Sequence, residues 1–316
     1  MSTPRTPRIA ILVPCYNEAL TIAAIVRDFR ACLPQAQVYV FDNNSTDGTA
    51  EVARGAGAIV RNVSAQGKGS VVRRMFADIE ADAYVMVDGD DTYDASVAPQ
   101  LVARLFNEGL DMVVGNRVST EQAAYRAGHR FGNAMLTGCV STVFGRTFTD
   151  ILSGYRVFSH RYVKSFAAHS AGFEIETELT VHALALRMPV AEVATVYKAR
   201  PEGSVSKLNT YRDGFRILGT IARLFKSERP LAFYSIFAAL GALLSLILAE
   251  PVAVTYLQTG LVPRLPTAVL CATLMLFSVI LLVCGIVLDA VTKGRIEQKR
   301  FAYLAHPAPA APDDAR

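Results

Sequence analysis

Two long stretches near the carboxyl end decide where this chain can reside. Residues 231–249 (LAFYSIFAALGALLSLILA) run 19 positions without a charge, and residues 267–288 (TAVLCATLMLFSVILLVCGIVL) run 22. As helices rising 1.5 Å per residue they measure about 28 and 33 Å, enough to cross the hydrocarbon of a bilayer. A buried hairpin in a soluble core is the other fold open to such runs, but helices apolar on every side suit lipid better. They supply much of the 52% hydrophobic content of the 316 residues.

The flanks of these runs predict an orientation. Arg212, Arg216, Arg223, Lys226 and Arg229 precede the first, and Lys293, Arg295, Lys299 and Arg300 follow the second. The connection between them, 250–266, carries Arg264 as its one base. The positive-inside rule then puts both termini and everything before residue 230 in the cytoplasm. Within residues 211–225 (YRDGFRILGTIARLF), Phe215, Leu218, Ile221, Ala222 and Phe225 share a helical face with arginines elsewhere, the pattern of a helix lying on anionic headgroups. The stretch 9–14 is too short for a signal core. Five cysteines without a CxxC pair read as reduced structural thiols. A net charge of +4, concentrated beside the apolar runs, favours lipid over nucleic acid as a partner.

Ahead of the anchor, short β-rich runs alternate with helical periodicity. Strands are expected at 9–13, 38–41, 58–60, 84–87 and 112–114, and helices at 19–32, 49–54, 70–79 and 97–107. This is the rhythm of an α/β domain with a mainly parallel sheet, whose ligands bind beyond the carboxyl ends of the strands. Those ends read Pro14-Cys15-Tyr16-Asn17-Glu18, then DNNSTDGT from Asp42, then Gln66-Gly67-Lys68-Gly69, then Asp88-Gly89-Asp90, then Gly115-Asn116-Arg117. One polar strand end is an ordinary turn, whereas five in succession suit one site.

The residue types suggest a nucleotide. A Tyr16 or Pro14 face can stack on a base, and Glu18 and Asp42 can accept from base N–H or ribose hydroxyl groups. Lys68 between two glycines ahead of a helix suits a phosphate. Neither GxGxxG nor GxxxxGK[ST] occurs, so neither the dinucleotide fingerprint nor the P-loop is supported. VDGDDTYD, residues 87–94, crowds four carboxylates after a buried run, and such crowding calls for a cation. Asp88 and Asp90 are hard oxygen ligands suited to Mg²⁺ or Mn²⁺ shared with substrate phosphates. Asp91 and Asp94 are assigned to turn and cap. In GFEIETEL the acids suit a helix start, with Glu176 facing the site and Glu174 and Glu178 in solvent. The histidines 129, 160, 169 and 182 show no ligand spacing, and His129 is placed beside Arg130 as an aid to it.

Together VPCYNE, DNNSTDGT, QGKG, DGD, TDILSGYRVFS, GFEIETEL and ARPEGSVSKL, spread over about residues 9–225, resemble the inverting family-two glycosyltransferases of GT-A fold. Within these they resemble the polyprenyl-phosphate sugar synthases related to dolichyl-phosphate mannose synthase. The resemblance implies a Rossmann-like GT-A domain over 1–210, an interfacial helix over 211–229, two transmembrane helices over 230–292 and a cytoplasmic tail over 293–316, disordered at its end. It implies a nucleotide-sugar site of Pro14, Tyr16, Glu18, Asp42, Lys68, Asp88, Gly89, Asp90, Arg200 and Lys207. Metal falls to Asp88 and Asp90, and acceptor phosphate to Arg117, Arg130 and Lys207. Asp90, Arg117 and Asp150 are the catalytic assignments, Asp150 as a base if the acceptor is a hydroxyl and as a positioning group if it is a phosphate. Two positions depart from the family pattern: Thr92 stands where a glutamine often binds metal, and DNN replaces a frequent D-D-x.

The implied activity is transfer of a sugar from a nucleotide sugar to a polyprenyl phosphate at the inner membrane of a bacterium, the anchor being of a kind that also forms homo-oligomers. The alternatives are transfer to a lipid or glycan hydroxyl and an inactive, tethered nucleotide-sugar binding protein. A processive synthase is disfavoured by the two spans and the absence of tryptophan.

Overall fold

The computed structural model describes residues 6–118, 148–168, 174–198 and 225–309, with single positions between them. The chain divides into two compact units, Met1–Ile217 with Gln298–Arg316, and Leu218–Glu297.

In the first unit, strands β1 (Ile9–Cys15), β2 (Gln37–Asp42), β3 (Ile59–Asn62), β4 (Ala83–Met86), β5 (Met112–Val118), β6 (Arg156–Ser159) and β7 (Val190–Val196) form one sheet, in the order β3-β2-β1-β4-β6-β5-β7. The pairs β1–β2, β2–β3, β1–β4 and β5–β7 are parallel, and β6 runs antiparallel between β4 and β5. The parallel strands are joined by helices α1 (Ile22–Cys32), α2 (Thr49–Gly55), α3 (Lys68–Asp78) and α4 (Ala98–Asn107). This is the doubly covered sheet that the βα rhythm predicts, and β1 and β4, in its centre, are nearly free of polar residues because both their faces are covered.

Helix α1 shows how the pattern becomes packing. Ile22, Ile25, Val26 and Phe29 recur at helical spacing and are all buried. Phe29 meets Tyr155 edge to face at 5.9 Å, and truncating such a ring costs about 3–5 kcal/mol. The helix begins at Ile22 rather than residue 19 because the Thr21 hydroxyl donates to Gly89 O at 2.5 Å, while Thr21 N and Ile22 N donate to Glu18 O, holding residues 18–21 as a turn.

Strands β6 and β7 were absent from the expected set. The first is four residues long and starts with an arginine; the second is an edge strand with a weak apolar pattern. Its pairing along the full length of β5 extends that strand to Val118, well past the expected residue 114. Among the described residues the unit holds two further helices between β6 and β7, α5 (His160–Ser165) and α6 (Ile175–Ala185).

In the second unit, α7 (Pro230–Thr259) and α8 (Leu265–Leu304) contain the two apolar runs, and both are long and apolar enough to cross a membrane. Little of either apolar stretch is buried, which separates them from the core helices of a soluble protein. They pair through Ser245, whose hydroxyl donates to Cys271 O at 2.8 Å. Helix α8 continues into the first unit's tail, where Tyr303 donates to Asp111 Oδ2 at 2.8 Å beneath the Arg161 guanidinium. Residues 211–218 of the proposed interfacial segment lie outside the described residues.

Candidate active site

The first two strand-end loops are knitted together by short polar side chains. Asn17, at a positive φ of 53°, receives the Thr46 amide on its side-chain oxygen at 2.8 Å, and its own amide donates to Ser45 Oγ at 2.9 Å. The Glu18 amide donates to Thr49 Oγ1 at 2.9 Å, while Asp47 accepts from the Ala19 amide at 3.0 Å and from the Thr49 hydroxyl. Tyr16 stays 39% exposed.

Asn43 ties in the third loop. Its amide nitrogen donates to Val63 O at 2.8 Å and Ala65 O at 2.9 Å, and its oxygen accepts from Gly67 N at 2.7 Å. A carboxylate cannot donate those two bonds, which accounts for an asparagine at this buried position. Asp42 beside it accepts from Ser45 N at 3.2 Å through Oδ2, whereas Oδ1 is buried without a hydrogen-bond partner among the described residues. A buried acceptor left open costs about 1–3 kcal/mol, so its persistence points to a ligand.

The acidic cluster separates as expected. Asp91 takes a positive φ of 57° in the turn, and Asp94 caps the short 3₁₀ turn by accepting from Ser96 N at 3.0 Å. Asp90 is buried, and its Oδ1 accepts from the Thr92 hydroxyl at 2.7 Å. Thr92 therefore orients the Asp90 carboxylate. Gly89 is packed so closely on Pro14 O and Glu18 that a Cβ would collide with Cys15, which locks the first and fourth loops together.

Asp88 faces a cation already in the protein. The Lys68 ammonium lies 2.5 Å from Asp88 Oδ1 and 2.5 Å from Glu176 Oε1. Burial works to lower the lysine pKa, but the two carboxylates outweigh it and raise it, so Lys68 is fully charged. Lysine at the start of α3 opposes the helix dipole, and these two anions offset that cost. Glu176 lies in the first turn of α6.

Among the described residues no group of three or more His, Cys, Asp or Glu side chains could hold a metal ion. The donor set at the fourth strand end nevertheless fits a hard divalent cation, because such an ion commonly takes only one or two carboxylates and completes its shell with water and substrate phosphate. Asp88 and Asp90 are the residues that would hold it.

On the far side of the sheet, Arg117 and Asp150 close on each other. The guanidinium donates through Nε to Oδ2 at 2.7 Å and through Nη2 to Oδ1 at 2.8 Å. Burial alone would raise the Asp150 pKa, but the bonds from Arg117 prevail and hold it below the usual carboxylate value. Glu192 on β7 fastens the loop by accepting from Thr149 N at 2.9 Å and Asp150 N at 3.2 Å. The arginine of the DILSGYR stretch does the same from below: Arg156 is fully buried and donates to Ser153 O at 2.8 Å, to Thr180 Oγ1 at 2.8 Å and to Ile151 O. Gly154, at the bend, lies against the Asp88 carboxylate so tightly that no side chain fits, and its amide donates to Tyr93 OH at 2.9 Å.

Sequence reasoning overlooked Arg156, Glu192 and the Tyr93 hydroxyl; the partners of Glu192 and Tyr93 are distant in the chain. Arg130, Arg200, Lys207 and His129 lie outside the described residues.

These features define a nucleotide-handling α/β transferase fold, and comparison places it in a family. Residues 10–164 match the profile of glycosyl transferase family 2. The chain is 36% identical to the glycosyltransferase AglJ of Haloferax volcanii over 304 residues, 95% of this chain and 99% of that protein. It is 27% identical over 223 residues to a dolichyl-phosphate hexose transferase of the same organism, covering 70% of this chain and 95% of that one. The chain belongs to the family-two glycosyltransferases, and it is an enzyme of that class. Its fold resembles the crystal structure of glucosyl-3-phosphoglycerate synthase from Mycobacterium tuberculosis in complex with Mn²⁺, UDP and glucosyl-3-phosphoglycerate. That match has a TM-score of 0.57 at 21% identity, over 70% of this chain and 79% of that one.

Proposed function

We propose that this glycosyltransferase moves a sugar, with inversion, from a GDP- or UDP-linked donor to the phosphate of a membrane polyprenol. Asp42 Oδ1 accepts from the base or ribose, with the Tyr16 ring as its stacking face. Asp88 and Asp90 meet the diphosphate together with Mg²⁺ or Mn²⁺. When bound there, the divalent cation supplies positive charge to the departing diphosphate. Lys68, Arg200 and Lys207 add to that charge on the donor side.

The observation that carries the acceptor assignment is the bidentate Arg117–Asp150 pair. A hydroxyl acceptor must lose its proton in the transition state, and the base that takes it works best with a pKa near the operating pH. Asp150 is driven the other way and is already spanned by a guanidinium. A lipid phosphate is an anion at pH 7 and needs no such base. Arg117, oriented by Asp150, together with Arg130 would then hold the acceptor oxygen in line with the anomeric carbon. The similarity to a dolichyl-phosphate hexose transferase supports the same reading. With both apolar helices in the inner membrane and both termini in the cytoplasm, as the flanking bases favour, the site lies on the side where nucleotide sugars are made.

The test is to incubate the purified protein with UDP- and GDP-sugars and with undecaprenyl or dolichyl phosphate, with and without chelator. One donor is expected to give an acid-labile glycolipid that needs a divalent metal. Product formed only on a hydroxyl lipid would replace this reading with its rival, and nucleotide-sugar binding without any product would favour a tethered binding protein.

A further inference from the structure

The Lys68 ammonium bridges two carboxylates that differ in one respect. Asp88 keeps 27% of its side chain exposed, while Glu176 keeps 6%. The partner open to an incoming ligand is therefore Asp88, and the hidden partner is Glu176. Glu176 is also incompletely satisfied: Oε1 holds Lys68, whereas Oε2 is buried with no hydrogen-bond partner among the described residues. An ammonium has three protons to donate, so one lysine can hold both oxygens of a carboxylate. Asp88 has no corresponding room to retreat, because its carboxylate is backed against Gly154.

We propose that Glu176 is a positioning residue that receives Lys68 when the donor binds: the ammonium leaves Asp88, settles across both oxygens of Glu176, and so frees Asp88 for a divalent cation and diphosphate. The inference rests on the donor-site reading above, but not on the identity of the sugar or the acceptor. Its physical basis is charge. Lys68 with Asp88 alone would be a neutral pair competing with any incoming cation for the same oxygen. Glu176 leaves the triad with a net charge of −1 and offers the ammonium an equivalent place 2.5 Å away. Lys68 is thereby kept beside the diphosphate, charged and oriented, without blocking the carboxylate that the cation needs.

The experiment uses the full-length protein in detergent and measures Mn²⁺ binding by calorimetry, first alone and then with UDP or GDP. In Glu176→Gln the lysine keeps Asp88 as its single anionic partner, so Mn²⁺ affinity should fall at least tenfold and donor KM rise by more than kcat falls. In the double variant Lys68→Met with Glu176→Gln no ammonium remains on Asp88, and Mn²⁺ affinity should return to at least the wild-type value. A merely structural role for Glu176 would leave the double variant as impaired as the single one. Glu176→Gln binding Mn²⁺ within twofold of wild type, a double variant that does not recover, or a wild type that takes no Mn²⁺ would each overturn the proposal. If Mn²⁺ alone follows the expected pattern while neither nucleotide binds, Glu176 takes Lys68 from Asp88 for the cation by itself, the donor-driven form of the proposal is overturned, and the nucleotide-sugar reading falls.

Discussion

Asp42 and Asp150 lie toward opposite ends of the strand order and are equally hidden from water, at 5% and 3% exposure, yet their surroundings differ completely. Among the described residues Asp42 has one oxygen with no hydrogen-bond partner, while the Arg117 guanidinium engages both oxygens of Asp150. On the reading proposed above, the donor side keeps the Asp42 Oδ1 acceptor open among the described residues. On the same reading, the acceptor side carries an arginine–carboxylate ion pair, which suits holding a charged group in place and does not suit removing a proton. Buried carboxylates at a strand end are thus not interchangeable, and their partners tell their roles apart.

The largest effect is expected from Asp90→Asn, which removes a charge from the donor side without changing its shape. Turnover should fall about 10²–10³-fold, the scale of losing one electrostatic contact to a transition state, with an unchanged circular dichroism spectrum and melting temperature. Unaltered turnover would remove Asp90 from the metal and diphosphate site. Next is Arg117→Met, which takes the guanidinium away from the buried Asp150 carboxylate. Breaking such a pair costs about 3–5 kcal/mol, read by denaturant unfolding, and adding Asp150→Asn to the same chain should restore most of it.

Asp150→Asn by itself sharpens the contrast between base and positioner. General bases contribute about 10²–10⁴-fold, so a kcat loss below that range supports positioning and a loss within it restores the hydroxyl-acceptor rival. The pair also has a pH signature. Because the folded pKa of Asp150 is depressed, its contribution to stability is complete above the unfolded carboxylate value of about 3.9 and disappears as pH falls through the lower folded value. Acid titration of unfolding should therefore be shallower in Asp150→Asn over that interval. The smallest effect is expected at Asp42→Asn, where one accepted hydrogen bond is lost. Donor KM should rise about tenfold with kcat nearly constant, and an effect on kcat instead would mean that Asp42 acts on the reacting centre.

Much of this architecture is visible in the linear chain because it depends on local patterning. Apolar alternation located β1 to β5, and helical spacing located α1 to α4, although ends shifted where a tertiary bond intervened, as at Thr21. The turn and cap places of Asp91 and Asp94 were legible because turn and cap chemistry act over a few residues. The short antiparallel β6 was missed since four residues beginning with arginine carry no period to detect. That arginine is tolerated only because the carbonyls of Ile151 and Ser153 fold back onto it.

What the sequence by itself determined is therefore the inventory: two lipid-length helices, a mainly parallel sheet, and polar residues gathered after each strand. These follow from periodicities and propensities that operate within a few residues. Tertiary structure decided the pairings, setting Lys68 on Asp88 and Glu176 and Arg117 on Asp150, 33 positions away. The physical reason is strand order. Inserting β6 between β4 and β5 carries the Asp150 loop across the ligand edge, and α6 brings Glu176 to the start of α3, so each carboxylate acquires the partner that fixes its charge and its role.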